Sequence, residues 1–228
     1  MVDRGGRPRQ AKDALFDGFA SIAKALASGR RAEIVELLAQ GERNVDELSR
    51  QLGQSLANTS HHLRTLARAG LVIGRRSGTQ VHYRLASDEV LELWWAMRTV
   101  AAARVEGLDE LAAGYLGDRR DIETIGRDEL LARLETADLV VVDVRPRAEY
   151  DAGHLPGAVH VPPDQLELLD DLPPDRDVVA YCRGPYCVYA DDAVRRLGRA
   201  GRRAVRLEDG VPEWRHAGGP VEVEATRP

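Results

Sequence analysis

The apolar pattern of this chain changes near residue 120, and that change constrains the fold more than any other feature. Before it, apolar residues recur at helical spacing; after it, short apolar runs alternate with helical stretches, as in an α/β unit. The 228 residues are about one and a half times the ~150 typical of one domain. We therefore predict a flexible tail over 1–12, a mainly α-helical domain over 13–118, and an α/β domain with a central parallel sheet over 119–228.

The charge of the chain divides at the same place. The formal net charge is −5, but residues 1–120 carry 18 Lys and Arg against 15 Asp and Glu, whereas residues 121–228 carry 14 against 22. No acidic residue lies between Glu47 and Asp88, a stretch that holds six arginines. A solvated face normally mixes both signs, so the two halves are expected to have different electrostatic roles.

Two exclusions follow from the composition. No stretch approaches the ~18 apolar residues that a membrane span requires, and the basic, polar residues 1–10 are not followed by the apolar core of a signal peptide. We expect a cytoplasmic protein with no membrane partner. The two cysteines, Cys182 and Cys187, are too few for a disulfide framework and favour local thiol chemistry. Without a nearby His they supply only half a tetrahedral zinc site, so we predict no metal and no cofactor.

The first domain contains the signals of a helix-turn-helix. Residues 15–26 and 34–38 repeat apolar side chains at helical spacing. Asn44 can cap a short third helix that ends at Gly53, and a fourth helix is predicted over about 55–69. Two short helices joined through a glycine form a helix-turn-helix.

A hairpin and a long helix follow. The β-prone runs at 71–73 and 81–85 are separated by the polar connection Arg75-Arg76-Ser77-Gly78, which predicts a β-hairpin wing. Residues 88–115 predict one long helix that is apolar around much of its circumference. We favour a homodimer interface formed with the first helix, and the alternative is packing within one chain.

The fourth helix has polar groups on one side and Leu63 and Leu66 on the other. Small polar residues at the start of a helix can enter the major groove, about 12 Å wide, while arginines neutralise phosphates. His61 and His62 have metal binding as an alternative role. The candidate DNA-binding residues are Ser55, Asn58, Thr59, Ser60, His61, His62, Arg64, Arg75, Arg76, Thr79 and Arg84.

The segment Ser60–Val72 resembles the ArsR family of winged-helix repressors, and the likeness covers roughly residues 13–115. The resemblance implies a dimer whose paired recognition helices read an inverted repeat in double-stranded DNA, with Arg75, Arg76 and Thr79 near the backbone or minor groove. Many members sense metal through cysteines on the helix that corresponds to residues 45–52. That helix contains no cysteine here, which excludes thiolate metal or arsenic sensing at that place.

In the second domain, residues 139–144, 177–181 and 204–207 predict buried parallel strands, with a helix over 188–200. Cys182 therefore lies where a strand ends and a helix begins. Loop N–H groups and the helix N-terminus converge at such a point and favour an anion. We expect Cys182 to have a lowered pKa and to be nucleophilic at neutral pH.

The segments 143–150, 153–158 and 209–214 resemble the signature segments of the rhodanese family, over about residues 121–221. The resemblance implies a doubly wound α/β domain in which Cys182, at the position of the catalytic cysteine, accepts sulfane sulfur from a small donor such as thiosulfate, a persulfide or a polysulfide. A phosphatase on the same fold would need a loop one residue longer and an arginine where Val188 stands. The loop therefore argues against phosphatase activity.

Cys187 is a departure from the rhodanese family, because many members have a basic residue at that end of the loop. A second thiol could attack a persulfide on Cys182 and close a bridge, provided that the two Cβ atoms come within ~4.5 Å. The alternative is that Cys187 packs as a small apolar residue.

Arginines beside the loop could attract an anionic donor, and Asp143 could orient the loop; surface salt bridging is the alternative for each. The candidate residues of the reactive site are Cys182, Cys187, Arg183, Gly184, Tyr186, Arg145 and Asp143.

The fusion of the two domains suggests a sulfur-responsive transcriptional repressor, in which modification of the cysteine loop lowers operator affinity. One alternative is a sulfurtransferase enzyme with an accessory DNA-binding domain. Another is a catalytically inactive rhodanese-like domain that serves as a binding scaffold.

Overall fold

The computed structural model describes residues 8–134 and 139–224. It divides into two compact units, and the division falls between Val100 and Ala101. Neither unit contains, among its described residues, a helix long and apolar enough to cross a membrane. Residues 1–7 of the predicted tail lie outside the described residues, whereas residues 9–12 are helical and not a flexible tail. The domain boundaries given above stay a prediction.

The first unit combines helices with a small antiparallel sheet. Its elements are α1 (Arg9–Leu26), α2 (Gly29–Ala39), β1 (Arg43–Asn44), α3 (Val45–Leu52), α4 (Leu56–Arg68), β2 (Val72–Ser77), β3 (Gln80–Leu85) and most of α5 (Asp88–Arg104). The strands are ordered β1-β3-β2. Buried aliphatic side chains from α1 to α5 and from β2 form the core.

Local capping explains the helix-turn-helix. Asn44 Oδ1 accepts a hydrogen bond from the Glu47 N–H at 2.9 Å, and the Glu47 carboxylate accepts one from the Asn44 N–H at 2.9 Å. This reciprocal arrangement satisfies two otherwise unpaired donors at the start of α3. Gly53 ends α3 with a left-handed φ of 60°, and Ser55 Oγ caps α4 at the Asn58 N–H. The predicted helix-turn-helix is confirmed.

The wing differs from the sequence-based prediction in its turn. Arg75 and Arg76 belong to β2 and pair with His82 and Val81 of β3. The turn is reduced to two residues, of which Gly78 has a φ of 59°. A two-residue hairpin turn needs positive φ at its centre, which Gly78 supplies, so the preceding arginines can stay in the ladder.

The predicted single helix over 88–115 is wrong. The structure has α5 and a separate α6 (Leu108–Leu116), with Gly107 at a φ of 75° between them. That left-handed conformation interrupts the helical hydrogen bonds. Large apolar side chains on α1 and α5 are exposed within one chain, among them Phe16 at 59%, Phe19 at 64% and Val100 at 62%.

The second unit contains a five-stranded parallel sheet in the order β4-β8-β7-β5-β6. Its elements after α6 are β4 (Thr124–Ile125), α7 (Arg127–Leu134), β5 (Leu139–Asp143), α8 (Arg147–Ala152), β6 (Val159–His160), a 3-10 helix (Leu166–Asp171), β7 (Asp177–Tyr181), α9 (Tyr189–Arg199), β8 (Ala204–Leu207) and α10 (Val211–His216).

The central strands β5 and β7 are buried on both faces. Val140, Val142 and Val178 belong to one apolar cluster, whereas Val141 and Val179 belong to another. Such double burial explains why these strands are continuous apolar runs. The three strands predicted from the sequence are confirmed, and the α/β architecture with them.

Candidate functional site

The polar side of α4 faces solvent. Leu63 and Leu66 are fully buried, whereas Asn58, His61 and Arg64 are exposed. Ser55 is exposed at the N-cap, and Ser60 is partly buried on the helix. An exposed polar face on the second helix of a helix-turn-helix is the arrangement that enters a major groove.

Thr59 does not belong to that exposed face. Its side chain is 0% exposed, and its hydroxyl oxygen has no hydrogen-bond partner among the described residues. His62 is partly buried, and burial, followed by the charge of Arg31, lowers the pKa of its imidazole. A lowered pKa keeps His62 neutral at neutral pH.

The wing arginines are exposed but engaged locally. Arg75 donates two hydrogen bonds to the Glu42 carboxylate, at 3.2 and 2.9 Å, and these bonds lower the pKa of Glu42. Arg76 donates to the Gly78 carbonyl, and Arg84 to the Leu85 carbonyl. Thr79, in the turn, is exposed. Glu42 is a neighbour of the wing that the sequence pattern did not identify.

Cys182 lies directly after β7, in a loop that folds around its sulfur atom. The side chains of Cys182 and Cys187 are free thiols, 1% and 9% exposed. The Cys182 Sγ lies 3.7 Å from the Cys187 carbonyl oxygen and 4.0 Å from that of Gly184. The Cys187 N–H donates to the Gly184 carbonyl at 3.2 Å, which folds the loop back on itself.

The pKa values of the two thiols are shifted in opposite directions. Burial raises the pKa of Cys182, but a hydrogen bond from the Cys187 thiol, the charge of Arg206 and two backbone N–H groups outweigh it and lower the pKa to about 7. The same hydrogen bond, together with burial, raises the pKa of Cys187. Near neutral pH a substantial fraction of Cys182 is therefore thiolate, while Cys187 stays a thiol beside it.

Buried ion pairs support the base of the loop. Arg145 is fully buried, donates to Asp143 at 2.6 Å and also donates to the Gly153 carbonyl at 2.6 Å. Tyr181, the residue before Cys182, donates its hydroxyl to Asp143 at 2.7 Å. The surface salt bridge considered for Arg145 and Asp143 is therefore wrong, because the pair lies inside the domain.

Arg183 is also held by a carboxylate. It donates to the buried Glu149 at 2.9 Å, and its guanidinium lies 5.4 Å from the centre of the Tyr189 ring. Gly184 has a φ of 128°, and a Cβ there would meet the Glu213 carboxylate at 3.3 Å. Tyr186 is partly buried on the outer part of the loop.

Two arginines that the sequence pattern did not identify contact the loop, and a third such residue pairs with both of them. Arg119 donates to the carbonyls of Pro185 and Cys187, Arg206 donates to that of Gly184, and both arginines pair with the buried Asp191. Of these residues, only Arg206 could have been singled out from the sequence, because it interrupts an apolar strand and a charge in a buried strand requires a partner.

Each half of the chain matches the model of a known protein family. The model described as "Bacterial regulatory protein, arsR family" matches residues 28–73, and that described as "Rhodanese-like domain" matches residues 126–217. A sulfurtransferase of Allochromatium vinosum is 32% identical over 44% of this chain and 94% of its own length.

A solved structure matches the first half. It is the homodimeric winged helix-turn-helix DNA-binding domain (fragment 1-100) Mb0332 from Mycobacterium bovis, a possible ArsR-family regulator. It is 40% identical, covering 46% of this chain and 94% of that fragment, with a TM-score of 0.41.

One relative is similar to this chain across both halves. The HTH-type transcriptional regulator Rv0324 of Mycobacterium tuberculosis is 47% identical over 212 residues, which cover 92% of this chain and 93% of that protein. Both resemblances drawn from the sequence are thereby confirmed. The chain belongs to the ArsR family of helix-turn-helix transcriptional regulators and has a rhodanese-like domain C-terminal to its helix-turn-helix.

Proposed function

We propose that this regulator is a dimeric repressor that releases its operator when reactive sulfur modifies the Cys182–Cys187 pair. In the DNA complex, Asn58, His61 and Arg64 of α4 contact base edges and phosphates in the major groove. Arg76 and Thr79 of the wing contact the backbone or the minor groove. Two such units related by two-fold symmetry read an inverted repeat in double-stranded DNA.

The dimer is supported by the apolar side chains that one chain leaves uncovered. Phe16 and Phe19 on α1 are more than half exposed, as is Val100 on α5. Large exposed apolar side chains grouped on two helices are typical of an interface with another copy. The proposed interface buries them between the two protomers.

The sensing proposal is carried by the presence of two buried free thiols in one short loop that folds back so that the Cys187 carbonyl lies 3.7 Å from the Cys182 sulfur. The Cys182 thiolate attacks the outer sulfur of a small persulfide RSSH, a Cys182–S–SH bond forms, and RS⁻ leaves. Once the Cys182 Sγ is bonded to a second sulfur, it no longer accepts the hydrogen bond of the Cys187 thiol as a thiolate, so the largest cause of the raised pKa of Cys187 is removed. Cys187 then gives up its proton more readily and becomes a nucleophile.

The second step closes the bridge. The Cys187 sulfur attacks the Cys182 Sγ, the bond to the outer sulfur breaks, and the outer sulfur leaves as hydrogen sulfide with the two protons. The two cysteines are oxidised to a disulfide while the sulfane sulfur is reduced to sulfide, so atoms and electrons balance. Exposure to reactive sulfur is thus recorded within the loop.

Operator binding before and after polysulfide treatment tests the proposal. The probe is a DNA duplex selected from a random library by the untreated native protein. We expect treatment to weaken native binding at least tenfold, which corresponds to ~1.4 kcal/mol. Cys182→Ser should bind equally with and without polysulfide. Equal affinity in all four samples would overturn the proposal.

A second candidate function is a sulfurtransferase, favoured by the likeness to the Allochromatium vinosum enzyme. In that case Cys182 passes its sulfur to an external acceptor and turns over. Steady-state formation of thiocyanate from thiosulfate and cyanide, lost in Cys182→Ser and retained in Cys187→Ser, would support it. A single stoichiometric round that stops at the bridge supports the sensor.

A further inference from the structure

Arg119 contacts the cysteine loop through two of the loop's backbone carbonyls. Its Nε lies 2.6 Å from Asp191 Oδ2, its Nη1 donates to the Pro185 carbonyl at 2.7 Å, and its Nη2 donates to the Cys187 carbonyl at 2.8 Å. One guanidinium thus joins a carboxylate to two carbonyls of the loop. The planar fork of arginine donors fixes the relative positions of all three acceptors.

Asp191 gives this arrangement a fixed anchor. Its carboxylate, in the first turn of α9, is 0% exposed and lies 3.0 Å from Arg206 Nε as well as 2.6 Å from Arg119. Arg206 in turn donates to the Gly184 carbonyl at 2.7 Å. Three loop carbonyls are therefore held by two arginines that share one buried carboxylate. A buried charge of this kind cannot leave its partners without a large cost.

A bridge between the two cysteines bears directly on this set of contacts. Closing it brings the two sulfur atoms to a bond length of ~2.05 Å, and the Cys187 carbonyl, on the residue that has to adjust, is an acceptor for Arg119. The donors of Arg119 lie in one rigid plane, so a shift of that carbonyl relative to Asp191 cannot be followed without breaking a bond. We expect the oxidised loop to lose at least one contact to Arg119 that the reduced loop makes.

The position of Arg119 in the chain connects the cysteine loop to the helices that precede the second sheet. Arg119 comes three residues after the end of α6, which follows α5 beyond Gly107. On either side of it, Arg195 of α9 donates to the Asp118 carbonyl and pairs with Asp121 at 3.2 Å. The segment 118–121 is thus tied to α9, and only Arg119 ties it to the loop carbonyls among the described contacts.

We propose that Arg119 is the positioning residue that passes the state of the Cys182–Cys187 pair to the segment leading back to α6 and α5. The inference rests on the sensing function proposed above. Coupling of this kind requires that the two states of the loop differ in their contacts to one element, and Arg119 provides that difference.

Arg119→Gln in the full-length protein tests the inference, with Arg120→Gln as the matched control. Arg120 is the next residue, its side chain is 91% exposed, and it pairs with Asp118. Each variant is treated with polysulfide; mass spectrometry follows the persulfide on Cys182 and the Cys182–Cys187 disulfide, and operator affinity is measured before and after. We expect Arg119→Gln to become modified like the native protein but to change its operator affinity less than about twofold, against tenfold for the native protein and Arg120→Gln.

Arg119→Lys provides a second variant that keeps a positive charge opposite Asp191, in case the glutamine variant folds poorly. It lacks the planar fork, so we expect normal modification and a reduced response. Two results would overturn the inference while the sensing function stands: a full response in both Arg119 variants, or their failure to become modified. A native protein that is modified without changing its operator affinity would instead overturn the sensing function itself.

Discussion

The arginines of the two candidate sites differ in their surroundings. In the first unit, Arg64, Arg76 and Arg84 are exposed and donate to carbonyls of their own helix or hairpin. In the second unit, Arg145 and Arg206 are buried and paired with carboxylates that are also buried. Exposed guanidinium groups can exchange a local carbonyl for a DNA phosphate, whereas the buried ones fix the geometry of the cysteine loop.

The difference has an energetic side. An exposed ion pair typically contributes about 0–1 kcal/mol to the free energy of unfolding, whereas removing one partner of a buried pair costs about 3–5 kcal/mol. Substitutions of the exposed arginines in the first unit are therefore expected to alter DNA binding with little effect on stability. Substitutions among the buried ion pairs of the second unit should mainly lower the free energy of unfolding.

The largest expected effect is on the stability of the second unit. Asp191→Asn leaves Arg119 and Arg206 without their shared negative charge, so we expect the free energy of unfolding to fall by about 3–5 kcal/mol. Urea denaturation followed by circular dichroism measures it. Asp192→Asn is the matched control, because Asp192 is the exposed neighbour on the same helix. Equal losses in the two variants would contradict a special role for the shared carboxylate.

The next effect separates two neighbours on α4. Asn58 is exposed and Thr59 is buried. Asn58→Ala should weaken operator binding by about 1–3 kcal/mol, roughly 5- to 150-fold, with stability unchanged. Thr59→Val has nearly the same shape and removes a hydroxyl that lacks a partner among the described residues, so it should raise the free energy of unfolding by about 1 kcal/mol. A loss of DNA affinity in Thr59→Val would break the distinction between the two sides of the helix.

The smallest expected effect concerns the acidity of the reactive thiol. Because the thiolate is the reactive form, alkylation of Cys182 by iodoacetamide should rise as the pH increases through about 7, rather than near the ordinary thiol pKa. Cys187→Ala removes the hydrogen bond that stabilises the thiolate, so the rate at pH 7 should fall severalfold. Mass spectrometry identifies the alkylated residue. A profile that is identical in the variant would show that Cys187 does not tune Cys182.

Features that depend on neighbouring residues were predictable from the sequence. The Asn44 cap, the Gly53 break and the buried strands all rest on local patterns, and the structure confirms them. Two local predictions were wrong for local reasons. Apolar side chains continue on both sides of Gly107, so the apolar pattern gave no indication that the helix ends there. The polar character of Arg75 and Arg76 suggested a turn, although both residues lie in the β-ladder.

The site was only partly predictable. Thr59 shares the helical stripe of Leu63 and Leu66, at spacings of four and seven, so its burial had a signal that polarity alone obscured. The contacts of Arg119 had no such signal, because its partners lie 66 to 72 residues further along the chain. Only the folded sheet brings these groups together.

The pair between Arg75 and Glu42 has a consequence for how ions take part in DNA binding. A phosphate that binds Arg75 displaces a carboxylate, not water. The Arg75–Glu42 pair has no net charge, so its approach to the duplex gains little long-range attraction, and a freed Glu42 carboxylate beside the phosphate repels it. We therefore expect Arg75 to contribute little to the salt dependence of operator binding. Arg76, which has only a carbonyl to give up, should contribute its full share.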